Sequence, residues 1–124
     1  MKLMTHVVVG YPSLAMTRKI ALLMVKEGAD FLELQIPFSD PLGDGPTIRR
    51  ANSHALDNGV RVRDAFLLAR RLIKRDSIKI PLLFMTYFNV PFTYGVEKFC
   101  KDAKSAGVSG LLVPDYNLDM ESDD

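Results

Sequence analysis

With 124 residues, 48% of them hydrophobic, the chain has the length and apolar content of one domain spanning 1–124 and little room for a second. Lys plus Arg number 16 against 15 Asp plus Glu, so no net field draws it toward nucleic acid or an anionic membrane. The single cysteine, Cys100, cannot form an internal disulfide, Met1-Lys2-Leu3-Met4 leads into no long apolar stretch, and no run approaches the roughly 20 residues of a spanning helix, so a reducing cytoplasm is the expected compartment.

Met4 to Val9 is a short β-branched run ended by Gly10-Tyr11-Pro12, and is expected to be the first strand. Ser13 can cap a helix from Leu14 to about Glu27, with Leu14, Ile20, Leu23 and Met24 as its apolar stripe and Gly28 as its stop. Phe31 to Ile36 is the second strand, followed by a loop from Pro37 to Pro46 rich in Pro, Gly, Ser and Asp, the kind of segment that carries sites. Pro46 suits the first turn of a short helix through Asn58-Gly59. Val62 to about Arg75 is a further helix, with Ala65, Leu68, Ala69 and Leu72 on its inner face and the basic residues on a solvated one. Ile80 to Thr86 is the third strand, Val96 to Ala106 the next helix and Gly110 to Val113 the fourth strand.

Two segments echo each other, each placing a glycine, Gly28 or Gly107, at a helix stop shortly before a strand. Repeated βα units with short apolar strands imply a parallel sheet, and right-handed crossovers leave a doubly wound or a barrel arrangement, between which the pattern does not choose. The first loop lacks GxGxxG, so a dinucleotide-binding fold gains no support.

Glu33 is the most informative residue, because a carboxylate between Leu32 and Leu34 of a buried parallel strand carries a desolvation cost. If Leu32, Leu34 and Ile36 face the helices, then Phe31, Glu33 and Gln35 face the other way, where a barrel keeps its catalytic groups. The competing reading is a structural Glu paired with a neighbouring Lys or Arg. Asp40 and Asp44 lie in the following loop; ordinary turn chemistry accounts for Asp40, and Asp44 stands open between turn and site. A Mg2+ site from the two lacks a third oxygen ligand. Tyr87, Asn89 and Asp115 fall just beyond strands three and four, as site residues or as turn caps. His6 and Cys100 read as packing and His54 as solvated, with no metal constellation among them.

The run Phe31-Leu-Glu-Leu-Gln-Ile-Pro-Phe-Ser-Asp-Pro-Leu-Gly-Asp-Gly-Pro-Thr-Ile48 closely resembles the tryptophan synthase alpha subunit family. Gly10-Tyr-Pro-Ser13, Pro81 to Asn89, Tyr94-Gly-Val-Glu97 and Ala106 to Asp115 extend the resemblance, in order, over essentially the whole chain. It implies an α/β fold of the (β/α)8 TIM-barrel type. It also implies retro-aldol cleavage of indole-3-glycerol phosphate to indole and glyceraldehyde 3-phosphate.

By the same resemblance Glu33 is the catalytic glutamate that shuttles protons and Asp44 the catalytic aspartate, which stabilises charge at the indole N–H; Tyr87, Leu112 and Met85 line the indole pocket. No cofactor is implied in this subunit, since pyridoxal phosphate belongs to the beta subunit that receives the indole. Gln35 stands where the commoner family pattern has Gly, and His6 where an indole-packing aromatic is usual. A complete barrel takes about 250 residues and builds its phosphate site after strands seven and eight. The expectation is therefore a truncated half barrel, βαβαβαβ, ending in the acidic stretch Asp119 to Asp124. Its open strand edges make a homodimer of half barrels a further expectation. The reading from another class is an inactive remnant that only binds the beta subunit.

Overall fold

The computed structural model describes residues 1–116; the acidic stretch lies outside them. Four strands, β1 (Met4–Val8), β2 (Phe31–Gln35), β3 (Leu82–Met85) and β4 (Gly110–Leu112), form one parallel sheet in the order β1-β2-β3-β4. They alternate with helices α1 (Leu14–Lys26), α2 (Pro46–Asp57), α3 (Val62–Arg70), α4 (Asn89–Tyr94) and α5 (Val96–Ala106).

The strand order decides what the pattern left open. Strands added always to the same side by right-handed crossovers bring every connecting helix to one face, and no switch point arises as in a doubly wound sheet. Burial agrees. Leu32, Leu34, Ile36 and Phe84 on the helix side are wholly buried, whereas Phe31, Glu33 and Leu83 on the other side are half-buried. That one-sided covering is the curvature of a barrel wall, whose second face is its interior.

Local chemistry explains the helices. Ser13 Oγ accepts from the Met16 N–H at 3.1 Å, capping α1 as expected. Pro46 sits at the first position of α2, where its missing N–H costs nothing. Asp64 reaches back to the Arg61 N–H at 2.8 Å to fix the start of α3. The inner face of α3 is the expected one, Ala65, Leu68 and Ala69, continued by Leu72 in a π-helical stretch, Arg71–Arg75, while its arginines stay exposed. Phe66, Phe84, Phe99 and Tyr94 form an aromatic cluster that ties α3, β3 and α5 together, with edge-on pairs at 5.3–5.6 Å.

Three expectations are corrected. The expected stripe of α1 holds only in part: Ile20 and Met24 pack against the core, but Leu14 and Leu23 are 38% and 57% exposed, and the buried positions are Thr17 and Ala21. Small residues let the helix lie close to the sheet, and Thr17 is satisfied by donating to the Ser13 carbonyl and accepting from the Gly10 N–H. Cys100 is exposed, because the inner face of α5 is Phe99, Ala103 and Ala106. Helix α4 was not foreseen: its 6 residues are too few to show a period, and it contains Pro91.

Candidate functional site

Parallel register sets the site. His6 pairs with Glu33 and Glu33 with Leu83; Gln35 pairs with Met85, and Met85 with Leu112. Residues two apart on a strand share a face, so His6, Glu33, Gln35, Met85 and Leu112 all belong to the face away from the helices. Glu33 is half-buried, and among the described residues its side chain has no hydrogen-bond or ion-pair partner. Among the described residues, the Lys or Arg partner of a structural glutamate is not found. Met85 is buried, and Leu112 is 38% exposed toward the open side.

Beyond the strand ends the loop after β2 folds back over this face. Asn52, wholly buried on α2, accepts from the Phe38 N–H at 2.9 Å and donates to the Ile48 carbonyl at 2.8 Å, which anchors the start of the loop. Phe38 stacks on the Tyr87 ring with centroids 5.6 Å apart. The Tyr87 hydroxyl accepts from the Gly43 N–H at 3.2 Å and donates to Asp44 Oδ2 at 2.9 Å. The Gln35 amide donates to the same Oδ2 at 2.8 Å. Burial, then the bond to Asp44, pushes the Tyr87 phenol up to about 12.

Phe38, Asp40, Leu42, Gly43, Tyr87, Asn89, Pro114 and Asp115 enclose a cleft of about 370 Å³ at the strand ends. A cleft of similar size, about 400 Å³, lies between α3 and α5, but none of the expected catalytic or substrate-binding residues lines it.

The structure thus places Glu33, Met85 and Leu112 on one sheet face and ties Asp44 and Tyr87 to the Gln35 end of it; of the five, only Tyr87 lines the cleft. Asp40 and Asn89 are exposed beside the cleft. Asp115 is a cap, accepting from the Phe88 N–H at 2.8 Å. His54 is exposed and meets the Tyr11 ring edge-on. His6, read as core packing, is instead half-buried on the site face, with Nε2 2.6 Å from Gln35 Oε1. Asn52 was missed; the signal available was a polar side chain at the inward spacing of α2, one place after Ala51 and three before Ala55. No group of three or more His, Cys, Asp or Glu that could hold a metal occurs among the described residues. Nor, among them, is any helix long and apolar enough to cross a membrane.

Residues 1–123 match the family model described as tryptophan synthase alpha chain. The tryptophan synthase alpha chain of Desulfotalea psychrophila is 50% identical over 121 residues, which are 98% of this chain and 47% of that protein. A ligand-free tryptophan synthase from M. tuberculosis superposes with a TM-score of 0.89 at 36% identity, covering 95% of this chain and 47% of the other. Tryptophan synthase subunit alpha from Campylobacter jejuni gives a TM-score of 0.83 at 37% identity, covering 98% and 48%. The four-stranded sheet corresponds to the amino-terminal half of a TIM barrel, and the chain spans about half the length of the relatives it matches.

Proposed function

The chain belongs to the tryptophan synthase alpha chain family, and on that premise we propose that it carries the acid–base centre of a lyase that cleaves indole-3-glycerol phosphate. The observation that carries the reading is that Glu33, without a partner among the described residues, lies on the same sheet face as Gln35 two positions on, and that Gln35 bonds the loop carboxyl Asp44. Glu33 delivers a proton to indole C3, which places positive charge on the ring N–H, and Asp44 stabilises that charge. Loss of the proton from the adjacent glycerol hydroxyl then forms the aldehyde carbonyl, and the electrons of the breaking carbon–carbon bond return to the ring. The products are indole and glyceraldehyde 3-phosphate. One proton enters and one leaves, so carboxyl groups suffice and this chain needs no cofactor.

Tyr87, Met85 and Leu112 line the indole side of this site. The partner is a tryptophan synthase beta subunit, which holds the pyridoxal phosphate, and the compartment is the cytoplasm. Two copies pairing their β1 and β4 edges would complete eight strands, an arrangement that a monomeric mass by light scattering rules out.

The test is indole release from indole-3-glycerol phosphate by the purified chain, alone and with a beta subunit, against Glu33→Gln. Removing a general acid–base group should lower turnover by about 10²- to 10⁴-fold. A folded chain that releases no indole under either condition refutes the lyase reading. A second reading, a module that only docks on the beta subunit, draws on the four strands among the described residues, since barrel phosphate sites follow strands seven and eight. Saturable beta-subunit binding without indole would establish it.

A further inference from the structure

Gln35 is 1% exposed, and its amide is engaged at both ends: Nε2 is 2.8 Å from Asp44 Oδ2 and Oε1 is 2.6 Å from His6 Nε2. The direction of this chain is fixed. Asp44 Oδ2 receives the Tyr87 hydroxyl as well, so it acts as an acceptor and must face the amide N–H of Gln35. The amide oxygen then faces His6, whose Nε2 must carry a hydrogen. Reversing the amide would set two acceptors against each other at 2.8 Å. His6 is on β1, Gln35 on β2 and Asp44 in the loop 9 residues further on, so the bonds run from one strand across a second to the loop.

We propose that Gln35 is a positioning residue, a two-ended latch through which His6 on β1 holds the Asp44 loop over the strand ends before any substrate arrives. Only a planar group with a donor at one end and an acceptor at the other bridges these partners. Gly reaches neither, Leu fills the space without bonding, and Glu presents acceptors to an acceptor. The latch has catalytic meaning only if Asp44 acts on substrate, as proposed above. Its test uses no substrate and so stands or falls separately from indole release.

Native-state cleavage by a protease that cuts before aspartate reads the loop at Asp40 and Asp44, with Asp57 and Asp64 on or near helix ends as internal controls. In Gln35→Leu, cleavage at Asp40 and Asp44 should rise at least about tenfold over the controls, corresponding to about 1.4 kcal/mol of loop opening. An unchanged rate, or an equal rise at every site, would overturn the proposal. The unsubstituted chain supplies an independent reading should the variant not fold. With the imidazole neutral, nitrogen NMR should find the His6 proton on Nε2, and the Gln35 amide protons should exchange slowly. A proton on Nδ1 alone, or freely exchanging amide protons, would overturn it equally.

Discussion

Gly28 and Gly107 occupy the same place in the sequence pattern, yet substituting each by Ala should have unequal costs. Their φ angles are nearly equal, +105° and +98°, so the backbone penalty for acquiring a Cβ, about 1–2 kcal/mol, is common to both. Space separates them. A Cβ at Gly28 meets nothing within 4 Å, whereas one at Gly107 lies 2.9 Å from both Cδ1 and Cγ2 of Ile73 and 3.4 Å from its Cβ. Carbon pairs prefer about 3.5–4.0 Å.

The Ile73 Cδ1 can rotate away, but its Cγ2 is fixed by a β-branched χ1, so the π-helical stretch itself must give. Overpacking of this kind costs about 1–3 kcal/mol. Gly107→Ala should therefore exceed Gly28→Ala by that amount, a gap of about 0.5–1.5 M in urea midpoint at a slope near 2 kcal/mol/M. Ile73→Ala has its own packing cost, but combined with Gly107→Ala it should return most of the excess as a favourable coupling. Equal midpoints for the two glycine variants, or no coupling in the double variant, would refute the reasoning.

Two further outcomes follow from the charged and phenolic groups. Arg18 on α1 grips Asp76 with both arms, at 2.6 and 2.9 Å, and that hydrogen-bonded pairing holds the Asp76 carboxyl below its ordinary value. A depressed folded pKa stabilises above the unfolded value near 4 and is lost as pH falls through the folded one. The midpoint difference between the parent and Asp76→Asn should thus be present at pH 7 and shrink in acid; a difference that survives unchanged to pH about 2 would contradict it. Tyr87 has the opposite sign: with its phenol pushed up to about 12, its contribution is whole below the unfolded value near 10 and is lost as pH rises toward 12. Tyr87→Phe should remove the latest step of the tyrosinate absorbance titration, and an undiminished late step would assign that shift elsewhere.

The periodic parts of the chain were legible in the sequence because periodicity is what their packing selects. Alternation in Phe31 to Gln35 separated the helix-facing Leu32 and Leu34 from Glu33, and the fold keeps that division. The order of the strands was not legible, since parallel register and sequential pairing are set by contacts between elements. Nor was the whole inward side of α1. The apolar stripe of Leu14, Ile20, Leu23 and Met24 was half right: Ile20 and Met24 pack on the core, but the buried positions are Thr17 and Ala21, and Leu14 borders the groove between α1 and α3 with Leu67. Cys100 is exposed because it stands one step around α5 from the buried Phe99.

The site divides along the same line. Glu33 could be placed from strand parity, and Asp44, Tyr87, Met85 and Leu112 from the resemblance, but how the loop returns to the sheet has no period to read. Gln35 shows what that conceals. As a departure from the commoner glycine it reads as an obstruction beside Glu33, and as an isolated buried amide it reads as a cost. In the fold both ends of the amide are satisfied, by a histidine 29 positions before it and an aspartate 9 after it. His6, the other departure, is the group that accounts for the far end. Two departures that looked independent in the sequence are thus one hydrogen-bonded unit, and a change at either should be judged by what it does to Asp44.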